Sequence, residues 1–229
     1  GWRTARLCAH ETYFDCPYYE QLQYAGDTRI QALISLYVSG DDRLVRKAIR
    51  MYDLSRSYEG ITCSRYPSHI PQYIPPFSLY WIGMIHDYWM HRSDDAFVRS
   101  FLPGIRTVLS WFTEKIDPHT GLLKNGLPHW NFTDWATSWE RGIAPESDSS
   151  GSAITTLQLA AALDDAADLM RRYDRPAEAK EYAAISAGLK KNVYEKCWDA
   201  SKGLLRDYIG SPTYSQHVNI MGILTDAIP

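Results

Sequence analysis

Three carboxylates, Asp15, Glu20 and Asp27, lie close together in the stretch FDCPYYEQLQYAGDTR, residues 14–29, among Tyr18, Tyr19 and Tyr24. Carboxylates grouped this closely can divide acid and base work, one kept protonated to donate and the others ionised to orient polar groups. The chemistry depends on which face each side chain occupies. Pro17 is suited to the first turn of a helix, which predicts Asp15 at or just before the N-cap and Glu20 in the first turn. Glu20 and Asp27, seven apart, then share a helical face with Tyr24. Two roles are open to Asp15 and Glu20 on this pattern, catalysis or simple complementarity to the helix dipole, which favours acids in a first turn. Asp27 fits the second role poorly. It is predicted mid-helix beside Gly26, where glycine costs about 1 kcal/mol relative to alanine.

The elements that must hold these groups are helices. Apolar residues recur at three and four along segments near 18–38, 43–58, 76–92, 95–116, 151–173, 176–194 and 214–226, and no convincing pair of strands is present. Ser93 and Ser149 or Ser150 are placed to cap helix starts, Pro176 suits a first turn, and Gly40 suits the end of the first helix. The alanine-rich SAITTLQLAAALDDAADLM admits close neighbours on several faces and predicts an inner helix. DPHTGLLKN at 117–125 returns as DASKGLLRD at 199–207, each copy following a helix, which suggests an array of repeated helix pairs. Between residues 117 and 150 lies a long segment rich in Trp, Gly and Pro, long enough to predict a functional loop.

Composition narrows the classes further. The 229 residues are 45% hydrophobic with a net charge of −3, which predicts one globular domain over 1–229 with a sizeable core. Basic residues are scattered along helices, which argues against nucleic acid. No apolar run is long enough for a membrane span, and GWRTARLCAH has no signal-peptide core, so neither membrane nor compartment is indicated. Cys8, Cys16, Cys63 and Cys197 are too dispersed for a zinc knuckle and are expected as buried free thiols. The histidines form no helical metal-binding pair, so no metal or cofactor is expected. Tryptophan (8) and tyrosine (16) far outnumber phenylalanine (6), and such amphipathic rings suit sugar faces as well as protein interiors.

The stretch DCPYYEQLQYAGDTR resembles the signature of bacterial α-L-rhamnosidases, family 78 of the glycoside hydrolases, and IPPFSLYWIGMIHDYW and HWNFTDW are similar to later segments of that family. The resemblance implies an all-α fold, an (α/α)₆ barrel that this chain covers only in part, and hydrolysis of terminal α-L-rhamnose with inversion. It implies Glu20 as general acid, and Asp15 and Asp27 as carboxylates gripping the sugar hydroxyls. Tyr24 stands where other members carry a sugar-facing tryptophan. Trp135, with Asp134 beside it and Trp130 nearby, corresponds to the aromatic wall of the sugar subsite; packing the loop onto the barrel rim is its other possible role. Tyr18 departs from the arginine found there in many members. The general base is expected downstream of residue 229, with the rest of the barrel and accessory domains as partners, so that residues 1–229 alone are expected to be inactive; Glu140 and Glu146 are the local alternatives. A rhamnose-containing glycoside or polysaccharide is the implied substrate. Two further functions are kept in view, a related glycosidase for another sugar and a non-catalytic carbohydrate-binding or interaction module.

Overall fold

The computed structural model describes residues 1–229, folded as two compact units, Gly1–Val108 and Leu109–Pro229. The first unit holds α1 (Trp2–Leu7), α2 (Ala25–Val38), α3 (Arg43–Leu54), α4 (Pro75–His91) and α5 (Asp95–Arg99), and α6 (Leu102–Thr113) carries the chain out of it. The second holds α7 (Ala153–Arg172), α8 (Pro176–Cys197), a two-residue ladder of β1 (Trp198–Asp199) and β2 (Leu204–Leu205), and α9 (Gln216–Leu224).

In the first unit α4 is the central element. Proline at its start and an almost wholly apolar body let it bury residues on every side, from Pro75 to Tyr88. Trp81, fully buried, donates its indole N–H to the Ile49 carbonyl 3.0 Å away and so ties α4 to α3. Asp87 holds Arg29 of α2 at 2.7 Å, and an added methyl at Gly83 would fall on that guanidinium. The helix predicted over 95–116 is interrupted between α5 and α6. Pro103 in the second position of α6 has no N–H to give and fits only a first turn. The cap of α5 is Asp94, accepting from Phe97 N at 3.0 Å, where Ser93 was expected.

The helix predicted from residue 18 begins only at Ala25. Asp15 N donates to the Leu22 carbonyl, and the Asp15 carboxylate accepts from Leu22 N, both at 2.9 Å, which draws residues 15–22 into a closed loop. Gln21 is left-handed there (φ 53°), a conformation through which no α-helix runs. Tyr24 is therefore the N-cap residue, Asp27 falls in the first turn, and Glu20 lies outside the helix. Gly26 is likewise near the helix start, and a β-carbon there would sit 3.2 Å from the Phe77 ring, so close packing accounts for the glycine.

In the second unit α7 is buried along nearly its whole length, as its alanine content predicts, and packs on α8, with Ser186 Oγ donating to the Ala160 carbonyl and Lys190 paired with Asp164. Its cap is Ser152, accepting from Ile154 N at 3.2 Å, three residues beyond the Ser149 end of the expected pair. The two echoed segments form the same turn. Asp117 takes the N–H groups of His119 and Thr120, and its carbonyl accepts from Gly121 N; Asp199 takes Ser201 N, and its carbonyl accepts from Gly203 N. Both glycines are left-handed, at φ 68° and 64°. The second copy widens into the β1–β2 ladder, a strand pair that helical periodicity alone hides.

Candidate active site

The closed loop 15–22 turns Glu20 outward. Cys16 Sγ accepts from the Glu20 N–H at 3.3 Å and Gln21 Nε2 donates to the Pro17 carbonyl at 3.0 Å, leaving Tyr18, Tyr19 and Glu20 exposed, the two phenol rings edge to face at 5.0 Å. Gln23 is the anchor beneath. Almost fully buried, it donates to the Tyr66 carbonyl at 2.8 Å and accepts from Tyr13 N at 3.3 Å. Gln31 on α2 secures the other side, donating to the Phe14 carbonyl at 2.6 Å.

Asp15, Glu20, Tyr24 and Asp27 are brought together, though by a loop and a helix start and not by one helical face. Burial raises the Asp27 carboxyl above the ordinary range, and the negative charges of Asp15 and Glu20 push it the same way. Glu20, by contrast, is exposed. Asp15 uses one oxygen to close the loop, so its carboxylate is structural as well as charged. The Tyr24 phenol accepts from Arg65 Nη1 at 2.7 Å; burial first, then the nearby Glu20 carboxylate, pushes its pKa up to about 12. Arg65 was not foreseen. It lies in CSRYPSH with no helical periodicity, and only the antiparallel bridge between Tyr24 and Arg65 brings it to the site.

The second unit presents a separate aromatic cluster on the long loop. Trp130 and Phe132 stand 5.1 Å apart, Phe132 and Trp135 5.1 Å, and Trp130 and Trp135 6.2 Å between ring centroids. Trp130 donates its indole N–H to the Arg141 carbonyl, while the N–H groups of Thr133 and Asp134 converge on the Gly142 carbonyl. Trp135 is 72% exposed, a large apolar ring held at the surface by a tied loop. Asp134 has one oxygen on Trp135 N at 2.7 Å and the other on His217 Nε2 at 2.8 Å, so α9 steadies the loop. The His217 ring also lies 4.7 Å from that of Trp139, tilted by 46°, a contact that spacing alone could not reveal. A cleft beside it is lined by Trp139, Glu146, Tyr208, Tyr214 and His217. The carboxylate of Glu146 accepts from Gly126 N at 3.1 Å and is raised by desolvation, while Glu140 is exposed in a short 3₁₀ turn.

Gly142 is the hinge pin of this loop. Its φ is +70°, and a β-carbon would fall 2.5 Å from the Phe132 ring. Gly142→Ala should therefore cost about 1 to 2 kcal/mol for the left-handed backbone alone, and displace Phe132. A lowered thermal midpoint with altered tryptophan emission is the expected result, and wild-type values in both would contradict this role.

No set of three or more His, Cys, Asp or Glu side chains is arranged to hold a metal. Cys8, Cys63 and Cys197 are buried free thiols as expected, whereas Cys16 is only half-buried in the acidic loop. No helix is long and apolar enough to cross a membrane.

Residues 2–229 match the family described as the bacterial alpha-L-rhamnosidase 6 hairpin glycosidase domain. Among curated proteins no sequence matches the chain. Among solved structures, the chain is similar to the family 78 rhamnosidase of Bacillus sp. GL1, with 27% identity and a TM-score of 0.88 over 99% of this chain and 23% of that one. It is similar to the Klebsiella oxytoca rhamnosidase with rhamnose bound, at 22% identity and TM-score 0.83, over 99% of this chain and 43% of that one. For the Streptomyces avermitilis α-L-rhamnosidase complexed with L-rhamnose the values are 14% and 0.74, over 100% and 21%. The chain thus spans about a fifth to under half the length of these three.

Proposed function

Because the chain belongs to the bacterial α-L-rhamnosidase six-hairpin glycosidase family, we propose that it supplies the acid half of an active site that hydrolyses terminal α-L-rhamnosides with inversion. Its fold class is the expected one, all-α and part of an (α/α)₆ barrel, matched here over residues 2–229. The observation that carries the reading is the gathering of Asp15, Glu20 and Asp27 within electrostatic reach of one another at the start of α2.

Cleavage of a glycosidic bond needs a proton delivered to the leaving oxygen as the ring acquires oxocarbenium character. Glu20 is assigned this role because it alone of the three projects to solvent, where a leaving group can reach it. Asp27 and Asp15, half-buried, are suited to accept hydrogen bonds from sugar hydroxyls, and the Tyr24 phenol borders them. In the second unit, Trp135 is assigned to stack on a sugar face, with Trp130 supporting its ring and Asp134 held to orient the loop. Inversion requires a second carboxylate about 6.5 to 9.5 Å from the acid to activate water. Glu140 and Glu146 are poor choices, one exposed in a turn and the other spent on Gly126 N, so we assign the base to the remainder of the protein.

The test is direct. The whole protein should release L-rhamnose from an aryl α-L-rhamnoside and leave aryl glucosides untouched, with the anomer formed first read by proton NMR. Turnover of the glucosides in place of the rhamnoside would replace this function with that of a glycosidase for another sugar; rhamnose binding without turnover would make the chain a binding module.

A further inference from the structure

The cleft on the second unit has more hydrogen-bonding capacity than its own fold uses. Its volume is about 870 Å³, within the roughly 300 to 1,000 Å³ of small-molecule sites, and every lining residue lies between Ala136 and His217. The rings along it are held by the protein. The Tyr214 hydroxyl donates to Asp199 at 2.6 Å with the Lys202 ammonium 4.3 Å from the ring centroid, and Trp139 lies against His217. Several polar atoms along it have no protein partner. Asp207 is only 1% exposed, yet both bonds to its carboxylate, from the N–H and the hydroxyl of Ser215, fall on Oδ1. Oδ2 is left without a donor on a residue that lines the cleft. A carboxylate oxygen buried to this degree carries a free-energy cost until something donates to it. Glu146 likewise receives Gly126 N on Oε1 alone, and neither the Tyr208 hydroxyl nor the Trp139 indole N–H has a partner in the protein.

These groups together fit a pyranose. Aromatic faces take the C–H surface of such a ring, carboxylate oxygens accept from its hydroxyls, and an indole N–H and a phenol donate to its oxygens. The charge of the lining narrows the class. Two carboxylates and no Lys or Arg line the cleft, and neighbouring Arg206 is paired with Asp199 at 2.5 Å. An acidic sugar placed there would meet like charge. The place of the cleft follows from Asp134, which accepts from Trp135 N with one oxygen and from His217 Nε2 with the other. One carboxylate thus steadies both the ring assigned to rhamnose and the wall of the cleft. Resting on the rhamnosidase reading, we propose that this cleft binds a neutral pyranose, the unit to which terminal rhamnose is attached, and that Trp139, Asp207 and Tyr208 select it.

The test compares two disaccharides that differ only at C6 of the second sugar. In the whole protein, KM for α-L-rhamnosyl-glucose should lie about tenfold or more below that for α-L-rhamnosyl-glucuronate. Tyr208→Phe and Trp139→Phe each keep an aromatic ring and remove one donor. Each should raise KM for the glucose disaccharide about fivefold while leaving methyl α-L-rhamnoside, which has no second sugar, unchanged. Asp207→Asn keeps an oxygen for Ser215 and turns an amide towards the cleft, so it should narrow the gap between the two disaccharides. Equal KM for both disaccharides in the wild type, a Tyr208→Phe effect that is absent or as large on methyl rhamnoside, or a folded Asp207→Asn with the full gap would each overturn the proposal. Should Trp139→Phe or Asp207→Asn not fold, Tyr208→Phe decides it. A wild type that releases no rhamnose from any of the three substrates would overturn the rhamnosidase reading instead. Calorimetry with the glucose disaccharide, wild type against Tyr208→Phe, would then judge the cleft alone, with a fivefold weaker Kd in the variant supporting it and equal values overturning it.

Discussion

Glu20→Gln is expected to lower hydrolysis of rhamnosides with poor leaving groups by about 10² to 10⁴ in rate, and to spare activated aryl rhamnosides by comparison. The fold should be untouched. Glu20 is exposed on a loop whose closure depends on Asp15 and Leu22, and its own N–H to Cys16 is retained in the variant. Glutamine keeps the shape, but has no acidic proton to deliver. Measuring kcat/KM on two rhamnosides that differ only in leaving-group acidity separates loss of proton donation from loss of binding. Equal losses on both, or none on either, would remove Glu20 as the acid.

Asp27→Asn should weaken sugar binding while stabilising the protein. Replacing a carboxylate that accepts from sugar hydroxyls removes one charge-assisted bond, about 1.5 to 3 kcal/mol, or roughly 10-fold to 150-fold in affinity. The stability change has the opposite sign for a reason visible in the fold. Asp27 is held above its ordinary value of 3.8 by burial and by the charges of Asp15 and Glu20. A carboxyl raised on folding favours the folded state below its unfolded value and loses that contribution as pH rises through the folded one. At neutral pH ionised Asp27 is therefore a cost, which asparagine lacks. The thermal midpoint of Asp27→Asn should exceed wild type at pH 7, and the two should converge below pH 3.8. Calorimetry showing unaltered rhamnose affinity, or a wild type more stable than the variant at pH 7, would contradict this account.

The helices were readable wherever periodicity and punctuation agreed. Pro75 and Pro176 open α4 and α8, and the Gly40 N–H follows α2 to the Ser35 carbonyl. The start of α2 was not readable, because Pro17 and two acids imitate a first turn while the bond that closes the loop joins Asp15 to Leu22, and Gln21, a residue that rarely adopts it, supplies the left-handed backbone. The carboxylates could be found from their types alone. Their setting could not: Arg65 and His217 reach Tyr24 and Asp134 across 41 and 83 positions of chain, and no local pattern records such meetings.

The twin turns at Asp117 and Asp199 bear on how such a chain could arise. Each is specified by an aspartate, a glycine four residues on and two leucines, while the three residues between aspartate and glycine, Pro118 to Thr120 and Ala200 to Lys202, share no identity. If the intervening segment descends from a duplication, those few positions are what conformational necessity preserved, and everything else drifted to suit its own surroundings. On that account likeness would survive only where the backbone has fewest alternatives.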